Sequence, residues 1–365
     1  MERRTFLRTA TLASAAAALA RTPAAWAGST GPERWRAFEI TTRVEVVNPS
    51  GVTRVWVPLS LGQDTDYHRS LGHTWGGNAG SVQVVRDPKY GAQMAVAEWP
   101  AGPALPTLPT LEVVTRISTR DRQVDVGAPG KAGAEDPAVL KRYLESSHLI
   151  RTDGIVEATA REITGGAKTE VDKARALYEW IVDNTFRDPK VKGCGLGDIK
   201  TMLETKNLGG KCADLNALFV GFARAVGIPA RDVYGIRVAD SAEFKSLGKS
   251  GDITKAQHCR AEFYLAGHGW VPVDPADVRK VVLEEKPGGL ALTDPQVQKA
   301  RGKLFGAWEM NWMAYNYAHD VKLPGSAGAP VAFLMYPQAE TGGTRRDTLD
   351  PDQFRYSVRS REITS

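Results

Sequence analysis

The sequence is poor in the features that mark several classes of function. It has only three cysteines, Cys194, Cys212 and Cys259, among 365 residues. An odd number cannot pair off, so an oxidising compartment leaves at least one thiol free. No C-x-x-C or H-x-x-x-H pair stands at ligand spacing, which argues against a zinc site even though Cys194, Cys212, His258 and Cys259 offer suitable atoms. Nothing in the chain calls for another metal or cofactor. The apolar run at residues 9–20 falls short of the roughly 20 residues that a membrane span needs. Strong net charge is missing too. Residues 1–27 carry Arg3, Arg4, Arg8 and Arg21 against Glu2, so three of the five net positive charges lie there and +2 remains for the rest. That balance gives no support for a nucleic-acid partner, which calls for lysine and arginine clustered on one face.

What is present begins with the grammar of an export signal over residues 1–27. "RRTFLR" at 3–8 sets twin arginines before a hydrophobic pair, "TATLASAAAALA" at 9–20 is weakly apolar, and Ala25-Trp26-Ala27 is a small-residue cleavage site. The arginine pair resembles the twin-arginine signals with which bacteria export folded proteins. The expectation is a periplasmic or otherwise extracytoplasmic protein, cleaved after Ala27, with no stable membrane anchor after cleavage. Folding before export, in a reducing compartment, predicts that Cys194 and Cys259 remain reduced.

The hydrophobic periodicity changes along the chain. From Trp35 to about Asp125, short runs such as "FEITTRVEVV" (38–47) and "LEVVTRIST" (111–119) alternate apolar and polar residues between proline- and glycine-rich turns. This pattern predicts an antiparallel β-sandwich-like domain over 28–126. "GAPGKAGAEDP" has the composition of a linker, assigned to 127–136. Helical spacing then takes over at 136–147, 153–163 and 169–186, with Thr169 as an N-cap, and again from Cys212 to about Val226 with Leu215, Leu218, Phe219, Phe222 and Val226 as its buried stripe. Strands follow at 231–238, 258–265 and 270–274. Helices packed on an antiparallel sheet make 137–283 an α+β domain. Residues 284–365 form a C-terminal extension with an aromatic-rich helix, at 305–321, and strands at 330–337 and 353–363 that complete a sheet.

The chemistry gathers at "GGKCADLNALF" (209–219). A thiol at a helix N-terminus meets the positive end of the macrodipole and unpaired N–H groups, both of which favour thiolate. Both a nucleophile in a cleft and a small core residue fit this stretch, since free cysteine is among the most buried residue types. A nucleophile needs a base, and the base a group that holds its tautomer. His258 and Asp274 lie on consecutive strands joined by "AGHG" (266–269), and they share a sheet face if the loop is Gly267-His268-Gly269, with Gly269 at positive φ and Asp274 opposite Glu262.

"GGKCADLNALFVGFARAVGIPARDVYGIRV" (209–238), "HCRAEFYL" (258–265) and "GWVPVDP" (269–275) together resemble the three signature blocks of the transglutaminase-like superfamily. The resemblance implies a papain-like core, with Cys212 as nucleophile, His258 as general base and Asp274 as its orienting partner. It implies acyl transfer or hydrolysis at amide bonds of a protein or peptide through a Cys212 thioester; the extracytoplasmic location adds cell-wall peptides to the expected substrates. Cys259-Arg260 departs from the family pattern and puts a charge on the face of His258, where it would bear on acceptor preference. The alternative is a non-catalytic binding or scaffold module of the same fold.

Overall fold

The structure is a computed structural model that describes residues 34–363, so the export-signal reading of 1–27 lies outside the described residues. Two antiparallel five-stranded sheets form a sandwich. One runs Gly251–Asp252, Phe354–Ile363, Arg36–Val46, Thr110–Thr119, His68–Gly77; the other runs Thr344–Arg345, Gln338–Thr341, Thr53–Pro58, Gln93–Trp99, Ser81–Arg86. Inward residues of the first sheet (Val44, Leu111, Val113, Phe354) meet those of the second (Val55, Val57, Ala97, Trp99) in one buried cluster, as the alternating sequence requires.

The sandwich is not confined to residues 28–126. Phe354–Ile363 pairs with Arg36–Val46 along ten consecutive residue pairs, and Gln338–Thr341 pairs with Thr53–Pro58. The C-terminal segment therefore supplies strands to the first domain instead of forming an appendage to the second.

Between these strands lies the helical core. Helices Ile155–Thr164, Glu170–Asn184, Ile199–Thr205, Cys212–Ala225 and Pro275–Glu284 gather beside a four-stranded sheet ordered Gly269–Val273, Arg260–Leu265, Ala230–Arg237, Trp312–Asn316. Thr169 caps its helix reciprocally: its hydroxyl accepts from Asp172 N at 3.1 Å while Asp172 accepts from Thr169 N at 3.2 Å. The helix from Cys212 is buried around its whole circumference, not along one stripe, because helices and sheet enclose it.

Two expectations are corrected. The aromatic segment 305–321 is not a helix but the strands Ala307–Trp308, Trp312–Asn316 and His319–Val321. Its large aromatic residues suit a pleated surface, and pairing with Ala230–Arg237 buries both faces of Trp312–Asn316. The hairpin loop is Ala266-Gly267-His268, because Leu265 pairs with Gly269. One further step along this ladder sets Asp274 opposite Arg260, not Glu262. The shift of two residues preserves parity, so Asp274 keeps the face of His258, and Gly269 does have a positive φ of 74°.

A buried ionic junction ties the two domains. Glu262 accepts from Arg231 at 2.7 Å and from Arg122, whose guanidinium also donates to the Trp270 carbonyl. Arg122 enters from the strand Arg122–Gln123, at the end of the sandwich segment, while Glu262 and Arg231 belong to the core sheet. Replacing Glu262 with alanine leaves two buried guanidinium groups without their carboxylate and should cost about 3–5 kcal/mol. A lowered urea midpoint is expected; a midpoint equal to that of the parent would show that the junction does not hold the domains.

Candidate active site

The loop before Cys212 is shaped by close approach. A Cβ on Gly210 would lie 2.5 Å from the Asp214 Cβ, and one on Gly209 would lie 2.4 Å from Phe186 Cζ. Asp214, in the first turn, accepts from Lys211 N, Leu196 N and Gly197 N, each at 2.9 Å, so one carboxylate fastens both the helix start and the loop beside it. Ala213 N donates to Cys194 O at 2.9 Å. Among the described residues the Cys212 N–H has no acceptor, one of the unpaired donors of the helix start.

His258 is fixed through its backbone from two sides. Its N–H donates to Gly235 O at 3.0 Å, and its carbonyl accepts from Trp312 Nε1 at 2.9 Å. Its Nε2 lies 2.7 Å from Asp274 Oδ2 and 3.3 Å from Asp277 Oδ2. Nε2 is thereby committed to the carboxylates, which leaves Nδ1 to serve Cys212, whose thiol the imidazole helps to hold down. Asp274 is wholly buried and caps the helix Pro275–Glu284, its Oδ1 accepting from Asp277 N at 3.0 Å and from Asn216 Nδ2 at 3.2 Å. Every partner of Asp274 is an N–H donor. Burial and the nearby Asp277 push its pKa up, but a proton on it would find no acceptor.

Charge is balanced within this small volume. Burial opposes a charge on His258, but Asp277 and Asp274 outweigh it and raise its pKa to about 9. The neighbouring Cys194, Cys259 and His258 hold Cys212 well below the ordinary thiol value against its burial. The Cys212 sulfur and burial push Cys194 and Cys259 up, so both keep their protons, and the Cys194 thiol donates to the Gln257 carbonyl at 3.2 Å. All three cysteines are free and buried. Arg237 sits 2.6 Å from Asp277, which it keeps well below the usual carboxylate range.

His258, Asp274 and Asp277 are the group of three metal-ligand types whose atoms fall within 4.8 Å of one another among the described residues. Arg237 on Asp277 and the Arg260 Nε, 3.7 Å from Asp274, already supply the positive charge that a cation would bring. The donor set suits the imidazolium better than a metal.

The structure thus brings Cys212, His258 and Asp274 together. Arg260 does share the face of His258, with its Nε 3.7 Å from Asp274 Oδ2, but it is fully buried, its guanidinium lies over Trp308 and Trp312 at 5.3 and 4.8 Å and donates to Glu309 O, so it does not line the cleft where it would bear on an acceptor. Sequence reasoning passed over Asp277, Asn216 and Arg237. Two of them carried a signal: Asp274-Pro275-Ala276-Asp277 is a helix start with proline at the first position, and Asn216 is four residues from Cys212 on one helix face.

The sequence model of the transglutaminase-like superfamily core matches residues 157–275. An uncharacterized protein of Haemophilus influenzae is 37% identical over 346 residues, which span 89% of this chain and 91% of that one. A protein of Cytophaga hutchinsonii whose crystal structure describes it as a candidate cysteine protease superposes with a TM-score of 0.56 at 14% identity, covering 91% of this chain and 92% of the other. The periplasmic domain of TgpA from Pseudomonas aeruginosa aligns with 69% of this chain and 93% of its own at a TM-score of 0.33 and 15% identity. With the superfamily core spanning the segment that carries Cys212, His258 and Asp274, and the same architecture recurring in a solved structure, the chain belongs to the transglutaminase-like superfamily.

Proposed function

We propose that the protein is a cysteine-dependent enzyme that acts on amide bonds of proteins or peptides through a thioester at Cys212. The observation that carries this reading is the buried Cys212 thiol at a helix N-terminus, held down in part by His258, whose Nε2 is 2.7 Å from a buried carboxylate. The Cys212 thiolate attacks the amide carbonyl, and the oxygen that becomes negative is met by the free Cys212 N–H. The His258 imidazolium gives its Nδ1 proton to the departing amine as the C–N bond breaks, leaving the thioester and neutral imidazole. An incoming water or amine then loses a proton to His258 as it attacks; collapse expels the thiolate and yields a carboxylic acid or a new amide. Asp274 orients the ring and compensates its charge throughout.

The twin-arginine pattern of residues 3–8 supports an exported enzyme whose substrates are extracytoplasmic proteins or peptides, cell-wall peptides among them. No helix among the described residues is long and apolar enough to cross a membrane.

Three results are expected. Cys212→Ala should lose more than about 1,000-fold in turnover while retaining its circular dichroism spectrum, with ammonia release from glutamine peptides, labelled-amine uptake and peptide cleavage as the assays; unchanged turnover would end the reading. Iodoacetamide should label Cys212 at nearly the same rate on both sides of neutrality, and turnover should fall as the pH rises through about 9, where His258 loses the proton it must donate. In His258→Ala the labelling rate should instead climb toward the ordinary thiol range near 8.5; identical profiles for the two proteins would count against the pair. Mass spectrometry of the mature protein should find Gly28 at its N-terminus, and an intact Met1 in the exported fraction would refute cleavage.

A further inference from the structure

Above Cys212 and His258 lies a cleft of about 600 Å³, and its charge is one-sided. Seven lysine and arginine side chains line it, and no aspartate or glutamate does. Three have carboxylate partners set back from the lining: Arg237 pairs with Asp277, while Arg187 and Lys280 share Glu284. The other four, Lys192, Lys211, Lys249 and Lys255, form no ion pair among the described residues. Lys211 Nζ reaches only a neutral acceptor, the Val191 carbonyl, at 2.6 Å. A nearly balanced chain has no compositional reason to collect cations at one place, and their mutual repulsion is a standing cost.

Their placement is also telling. Lys192 and Lys211 flank the loop that leads into the Cys212 helix, and Lys249 and Lys255 stand on the segment that leads into His258. Lys280 rises from the helix behind Asp274 with its side chain only 17% exposed, and burial together with the nearby Arg237 lowers its pKa to about 8. Tyr336, Leu349, Phe354 and Tyr356 add an apolar wall. Positive charge therefore borders the reacting sulfur on both sides, while one wall accepts apolar side chains.

Resting on the reading that Cys212 is acylated, we propose that this cleft selects an acidic peptide as acyl donor, one with carboxylates flanking the amide that is attacked. The same field repels a protonated lysine amine, so water resolves the thioester and hydrolysis dominates over cross-linking. A cleft lined by unpaired cations with no carboxylate among them gains from a partner that brings the missing anions.

The test separates binding from chemistry. In full-length Cys212→Ala protein, fluorescence anisotropy is measured with a glutamate-rich peptide, with the same peptide carrying glutamine for glutamate, and with a single-stranded oligonucleotide of equal charge. The acidic peptide is expected to bind about tenfold or more tighter than its neutral counterpart, and the advantage should vanish near 1 M salt, where the screening length is about 3 Å. The exposed pair Lys249→Glu/Lys255→Glu should abolish the preference while its circular dichroism matches the parent. Equal affinity for acidic and neutral peptides would overturn the inference and leave the acyl-transfer reading intact, as would a preference that survives in the lysine variant. Oligonucleotide binding as tight as that of the acidic peptide would overturn the peptide assignment. Loss of turnover in the parent toward every peptide, with selective acidic-peptide binding retained, would instead strike the acyl-transfer reading alone.

Discussion

The helix Cys212–Ala225 is enclosed on every side, and most of what surrounds it follows from that enclosure. A fully buried helix cannot spend side-chain volume freely, and at Gly221 a Cβ would lie 2.2 Å from Ile199 Cδ1 and 3.1 Å from Arg151 O. Small residues at Ala213, Ala217, Gly221 and Ala223 let the neighbouring helices and strands close upon it. Its first turn is what reaches the cleft, so the macrodipole, the unused Cys212 N–H and the thiol coincide at one point. The reactive sulfur is placed by packing around the helix as much as by the groups it touches.

Enclosure in turn demands electrical closure. Charges this deep are tolerable only in compensated sets, and the floor of the cleft carries one: a thiolate and two carboxylates against an imidazolium and the guanidinium groups of Arg237 and Arg260. Asp274 holds several of these together because the same carboxylate caps a helix, fixes Asn216 and meets His258. The walls above the floor break the balance that the floor keeps. That contrast divides the site into a self-contained reacting centre and an outer field open to a charged visitor.

Much of this was legible in the residues. Thr169 declared the start of a capped helix, helical spacing marked the one from Cys212 to about Val226, and the period-two alternation of 38–47 and 111–119 marked strands of the sandwich. His258 and Asp274 were read onto one face by parity alone, which survived an error of two residues in register. What escaped was set by distant contacts. Trp312–Asn316 is a strand because Ala230–Arg237 offers it an edge, and no local property of an aromatic run reveals that partner. Arg260 looked like a charge open to an acceptor until Trp308 and Trp312, some fifty residues away, enclosed it.

The pairing of Phe354–Ile363 with Arg36–Val46 has a consequence in time as well as space. The strand Arg36–Val46 meets Phe354–Ile363 only after the helical core between them has been synthesised, so its edge waits exposed until then. The order of synthesis and the order of assembly cannot coincide here. A chain of this topology closes its sandwich around segments made in between, and a loss of Phe354–Ile363 would be felt first at Arg36–Val46, some three hundred residues earlier.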